Sequence, residues 1–285
     1  MKTSPSNICR NTDACVPGGV YLCQVSDTVS CGACCGLFNV HNLSRVALAE
    51  RLKHRSRAFA RIPRTVEAIG DFAEAVRQRE DREPPLADFH HCPFVGLIGD
   101  GLTRVGCLLH PLGQGNQGVD YRGLSYYGGM ACRSYFCPTF HALAPRHKRI
   151  IRALAADWFD YGLIVTEHRL LAALFEQLED GLGHPVDESM FPPGSGPAAE
   201  MRSLLALKLA WPFRPDGAGG LCHYFFKDDL YPRPGPDYRR LNRSQSPLGT
   251  ILTELGSVIE NPARLRDAEA LVAGRIQAVI AALAG

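Results

Sequence analysis

The sequence predicts a mainly α-helical protein with one small β-hairpin, in which a cysteine-rich, irregular, metal-binding N-terminal half packs on a helical C-terminal half. Three observations predict it. Ten of the eleven cysteines lie within the first 137 residues, and only Cys222 lies beyond them. The hydrophobic pattern becomes consistently helical from residue 145 onward. Between these regions, two short apolar runs flank Gly99-Asp100-Gly101, the signature of a hairpin. The expected division is 1–144 for the cysteine-cluster region and 145–285 for the helical region.

Taken in order, residues 1–36 are rich in Cys, Gly and Ser and carry little periodicity. Asn42 or Ser44 caps a helix running through Phe59, with Val46, Ala49, Leu52 and Phe59 apolar. Pro63 and Thr65 open a second helix that reaches Arg82 and is ended by Pro84-Pro85. The hairpin occupies residues 94–109, and residues 111–131 read as a Gly-rich loop carrying Tyr121, Tyr126 and Tyr127. One helical segment is expected over 145–160. A second, 167–179, takes Thr166 as its cap and stops before Gly181. Further helices are expected over 198–211, 248–259 and 262–283, with a Pro/Gly-rich stretch over 212–236.

The 285 residues carry 46 % apolar side chains, enough for a conventional core, and a formal charge of +2, which excludes a polyelectrolyte. No stretch approaches the roughly 18 apolar residues of a membrane span. The first residues lack the apolar run of a secretory signal, so a cytoplasmic location is expected. A reducing cytoplasm keeps thiols free, and an odd cysteine count also fits a closed disulfide framework poorly. Metal binding or catalysis is the expected use of these cysteines.

The central motif is Cys31-Gly32-Ala33-Cys34-Cys35-Gly36. A two-residue spacer lets two sulfurs point at one centre, and the glycines relieve crowding in such a turn. Neighbouring side chains tend to diverge, so Cys34 and Cys35 suit two metals or a bridged cluster better than one tetrahedral ion. Further along come His91-Cys92-Pro93-Phe94, Gly106-Cys107, and Cys132-Arg133-Ser134-Tyr135-Phe136-Cys137-Pro138. Hairpin arms bring Cys92 and Cys107 within reach of each other.

The combined order, Cys-Gly-x-Cys-Cys, Cys-Pro-Phe, Gly-Cys and Cys-Arg-x-x-x-Cys, resembles the YkgJ-type cysteine-cluster family, also called CxxCxxCC. The resemblance covers residues 28–140 and implies a zinc- or iron-chelating region that uses Cys31, Cys34, Cys35, Cys92, Cys107, Cys132 and Cys137. The family pattern has one more cysteine three residues before the Cys-Gly element, where this chain has Thr28. The nearest replacement is Cys23, and His91, His110 and His141 are the other candidates for an eighth ligand. Zinc and an iron–sulfur cluster both accept such spacings.

Three functions compete. The first is a metal-binding protein whose partners are the metal or cluster and, through its helical half, another protein. The second is an iron–sulfur enzyme, because flagellin lysine methylases carry a related cysteine domain; this resemblance implies methyl-transfer or radical chemistry. The third is an interaction scaffold using the basic run Arg45, Arg51, Lys53, Arg55, Arg57, Arg61 and Arg64, which otherwise reads as a solvated helix face. No nucleic-acid motif and no phosphate-binding Gly-rich loop accompanies that run. No catalytic residue is legible. Cys9, Cys15 and Cys222 match no motif and read as ordinary thiols.

Overall fold

The computed structural model describes residue 13 and residues 19–80, 84–215 and 233–285. Cys9, Cys15, Cys222 and most of the 212–236 stretch lie outside the described residues, as does the expected helix end at Arg82. The protein is mainly helical with one two-stranded antiparallel hairpin, as the sequence predicts. Among the described residues no helix is long and apolar enough to cross a membrane.

Helix α1 spans Arg45–Phe59, and the Ser44 hydroxyl accepts the Ala47 N–H at its start. Helix α2 spans Val66–Arg79 behind the Thr65 cap. Strands β1 (Val95–Ile98) and β2 (Arg104–Cys107) pair with Val95 opposite Cys107. Leu48, Leu52, Ser56 and Phe59 form the buried stripe of α1 that lies on β1. The contact is close: a Cβ on Gly96 would stand 2.5 Å from the Ser56 hydroxyl, which donates to the Leu97 carbonyl. Phe59 meets Phe72 and Phe94 edge to face.

The Gly-rich loop holds a helix that its composition hides. Helix α3 spans Gly128–Ser134 and buries none of its residues, and α4 spans Pro138–Ala142. The single segment expected over 145–160 is two helices, α5 (Pro145–Leu154) and α6 (Trp158–Val165). The break belongs to Asp157, whose carboxylate accepts the Phe159 and Asp160 N–H groups and so starts a new helix. Thr166 does not cap α7 (His168–Leu182). It continues the backbone of α6, and its hydroxyl turns back to the Gly162 carbonyl. The buried Glu167 takes the cap position and pairs with Lys208 and Arg233. The α7 end lies at Gly183, in the left-handed conformation, rather than before Gly181. Helices α8 (Gly196–Leu205), α9 (Gly249–Glu254) and α10 (Pro262–Ala284) complete the chain.

Two cores result. One gathers α1, α2 and the hairpin with Trp158, Phe159 and Leu163. The other gathers α5 and α7–α10 with Val20, Leu22 and Val29. Leu265, Ala268, Val272, Ile276 and Val279 give α10 the buried stripe that packs on α7 and α8. Each such leucine or valine contributes about 1.5–3 kcal/mol by leaving water. Helix α6 serves both cores, and residues 20–29 cross to the C-terminal one, so the two cores share elements across the expected 144/145 division.

Glu179 of α7 ties α5 and the following loop together. Its carboxylate accepts from Arg146, from His147 and from the Val186 N–H. These partners, Arg146 first, hold its carboxyl down at about 2. A depressed carboxylate stabilises the fold above its unfolded pKa, and that contribution is lost as pH falls through the folded value. Glu179→Gln is therefore expected to cost about 2 kcal/mol at pH 7. Denaturant titrations at several pH values should show the gap between variant and wild type closing between pH 4.5 and 2. A gap that stays constant over that window would contradict the assignment.

Candidate metal centre

The motif Cys31–Gly36 folds as a turn between the two cores. Ala33–Cys35 forms one turn of 3-10 helix, closed by Gly36 in the left-handed region at φ 76°. A Cβ at Gly36 would stand 2.1 Å from the His90 carbonyl, so glycine is required there for two reasons. The Cys92 N–H donates to the Cys35 carbonyl at 2.9 Å, which fixes the turn to the chain entering the hairpin. The Cys31 N–H donates to the Cys23 carbonyl at 2.8 Å across the loop of residues 24–30. Thr28 lies exposed in that loop, while Cys23 lies at its base, beside Cys31.

None of the eight described cysteines is in a disulfide. Cys92 is buried, Cys132 is exposed on α3, and the other six are partly buried. Electrostatically they form two overlapping sets. In the first, Cys34 acts on Cys23, Cys31 and Cys137, and it acts on Cys92 of the second as well. Burial raises the thiols of Cys23, Cys31 and Cys137, and the charge of Cys34 raises each of them further. Cys35, Cys92, Cys107 and Cys132 form the second group. Burial pushes Cys92 up to about 11, with a smaller push from Cys132. It pushes Cys107 up to about 12, with Cys92 and Cys132 adding to the rise. Cys34 and Cys35 join the groups: their thiols hydrogen-bond, so Cys34 is lowered and Cys35 is raised. The adjacent side chains thus meet in the 3-10 turn, where extended backbone would part them. Among the described residues, no three or more His, Cys, Asp or Glu side chains form a group ready to hold a metal ion.

The histidines have other partners. His91 Nδ1 hydrogen-bonds the Gly36 carbonyl, and Nε2 faces the Arg55 guanidinium. Burial first, then the Arg55 charge, pushes this imidazole down to about 3. His110 Nδ1 accepts the Leu112 N–H. His141 is exposed, with its ring edge on Phe140. Tyr126 and Tyr127 pack on His90 and on each other. Arg133 pairs with Asp120 at 2.8 Å.

Three cations beside the cysteines were not legible in the sequence. Arg55 is wholly buried and donates to the Cys92 and Val95 carbonyls. Arg122, held by Asp120 at 2.7 Å, faces Cys107 and Cys132, whose charges raise it. Lys148, buried in α5, donates to the Phe140 carbonyl and feels the charge of Cys137. A periodicity argument places Arg55 in the apolar stripe of α1, which is the one trace it leaves. Thiols as a donor type suit a soft metal, and among the described residues the eight are not gathered into a ready ligand group.

Comparison with protein-family models, with curated proteins and with solved structures finds no match.

The turn yields a direct test. Gly36→Ala forces a methyl group onto the His90 carbonyl and a strained φ, and is expected to cost more than about 1 kcal/mol in a denaturant titration. A variant as stable as wild type would show that the Cys35–Cys92 junction does not hold this geometry.

Proposed function

We propose that this protein binds metal through two neighbouring thiolate centres, one of Cys23, Cys31, Cys34 and Cys137, the other of Cys35, Cys92, Cys107 and Cys132. The reading is supported by eight non-disulfide cysteines that act on one another electrostatically in two sets linked through Cys34 and Cys35; the thiols do not yet converge as a ready ligand group among the described residues, so they close in on binding. Four thiolates complete a structural zinc shell and equally hold one iron–sulfur cluster. Cys23 supplies the eighth ligand in place of a histidine. The resident group is zinc or an iron–sulfur cluster, and a cysteine set used for metal suits a reducing cytoplasm.

Buried thiols resist ionisation in an apolar setting, and a bound cation reverses that preference. Metal binding therefore releases protons and draws the thiols inward, and its free energy adds to the stability of the N-terminal region. Arg122 and Lys148 offset the added thiolate charge. The resemblance to flagellin lysine methylases supports a second reading, an iron–sulfur enzyme. Cys132 favours it, because its exposure gives the second centre a solvent-facing corner.

Anaerobic purification followed by elemental analysis and an absorption spectrum tests the proposal. Two centres per chain require about two zinc ions, or iron with matching sulfide and a visible band that dithionite bleaches. Cys34→Ser is expected to lower metal content by at least about half while the C-terminal helices keep their circular dichroism. Absence of stoichiometric metal from wild type, or full metal in the variant, contradicts the proposal.

A further inference from the structure

The basic run of residues 45–64 does not act as one surface. Arg45 is spent on Asp157 and Asp160. Arg64 is spent on Asn116 and on the carbonyls of Phe59, Ile62 and Gln114. Arg55 is buried against Glu80. Arg61 is exposed away from the others, and the remaining three cations of the run line a cleft of about 420 Å³ between α1 and the end of α2. Arg51, Lys53, His54 and Arg57 line it from α1, at the helical spacing that puts them on one side. Arg79 lines it from the end of α2, and Glu50 and Glu80 are its carboxylates.

Four cations thus face two carboxylates, and both carboxylates are already engaged. Two N–H groups of Arg55 hold Glu80 from the protein side, and Arg51 Nε lies 3.5 Å from it. Lys53 Nζ lies 3.6 Å from Glu50. Arg57 and Arg79 are exposed and make no hydrogen bond or ion pair with another described residue.

We infer that this cleft is a binding site for a small ligand carrying two or more phosphates. Guanidinium forks match phosphate oxygens two at a time. Cations arriving from two helices require an anion with more than one charged group. The cleft is within the roughly 300–1,000 Å³ range of small-molecule sites. A nucleic-acid strand needs a continuing basic track, and at the two ends of this run Arg45 and Arg64 are consumed by internal contacts. The site does not depend on the cysteines.

Calorimetric titration of the full chain with inorganic pyrophosphate, at constant ionic strength, tests this. Wild type is expected to bind one equivalent saturably. The double variant Arg57→Ala/Arg79→Ala is expected to bind at least about tenfold more weakly, with its unliganded melting point unchanged. Pyrophosphate chelation of bound metal would give the same heat in both proteins, so the difference between them is the readout. Equal affinity in the double variant overturns the inference, as does the absence of saturable binding by wild type. A single-stranded RNA oligonucleotide that binds more tightly and is not displaced by pyrophosphate overturns it too.

Discussion

One backbone hydrogen bond organises the cysteine region: the Cys92 N–H to the Cys35 carbonyl, at 2.9 Å. It joins a turn that has no core of its own to the chain entering the hairpin. Its surroundings leave little freedom. Gly36 lies against the His90 carbonyl, His91 Nδ1 bonds the Gly36 carbonyl, and Arg55 holds the Cys92 carbonyl from inside. A buried peptide group that loses its partner costs about 1–3 kcal/mol, so the cooperating contacts hold one register. In that register Cys35 feels the charges of Cys92 and Cys107, while Cys34 acts on Cys23, Cys31 and Cys137 and also on Cys92.

The two cores explain why the thiols sit where they do. Cys137 packs against the C-terminal core, Cys35 and Cys107 pack against the N-terminal one, and Cys31 touches both. Cys31 therefore lies at the seam. Helix α6 borders it on one side, where Gly162 lets Phe38 approach: a Cβ there would stand 2.8 Å from the Phe38 ring and 4.0 Å from Cys31 Sγ. Ligation that joins Cys31 and Cys137 would couple the cores, because Cys31 packs against both and Cys137 against the C-terminal one. Arg122 and Lys148 stand at opposite groups, so each group has its own nearby cation.

Much of the fold was legible because local chemistry and tertiary packing agree. Ser44 and Thr65 cap α1 and α2 where their spacing to the apolar stripe places them, and the Gly-containing turn gives the hairpin. The misses have specific causes. Helix α3 hides behind Gly128-Gly129 and buries nothing, so no apolar period reveals it. The break between α5 and α6 was masked by a continuous apolar pattern, although Asp157 was the available signal. Thr166 loses the cap to Glu167 because a buried carboxylate with two cationic partners outweighs a hydroxyl bond. The sequence singles out seven cysteines and names Cys23 as a candidate eighth; what it does not show is the Cys31–Cys23 backbone bond that closes the loop and sets Cys23 beside Cys31. Charge counting grouped the arginines of residues 45–64, whereas the structure separates buried Arg55 from exposed Arg57.

The central claim is that sulfur alone, from both cysteine groups, surrounds the metal. X-ray absorption at the edge of the metal found in anaerobically purified protein reads this directly. Two four-thiolate centres give a first shell of about four sulfurs per metal, near 2.3 Å for zinc, with no nitrogen contribution. A shell containing imidazole nitrogen or dominated by oxygen would contradict the account, since it would remove a thiolate such as Cys23 from its set with Cys31, Cys34 and Cys137 and the two-centre arrangement with it.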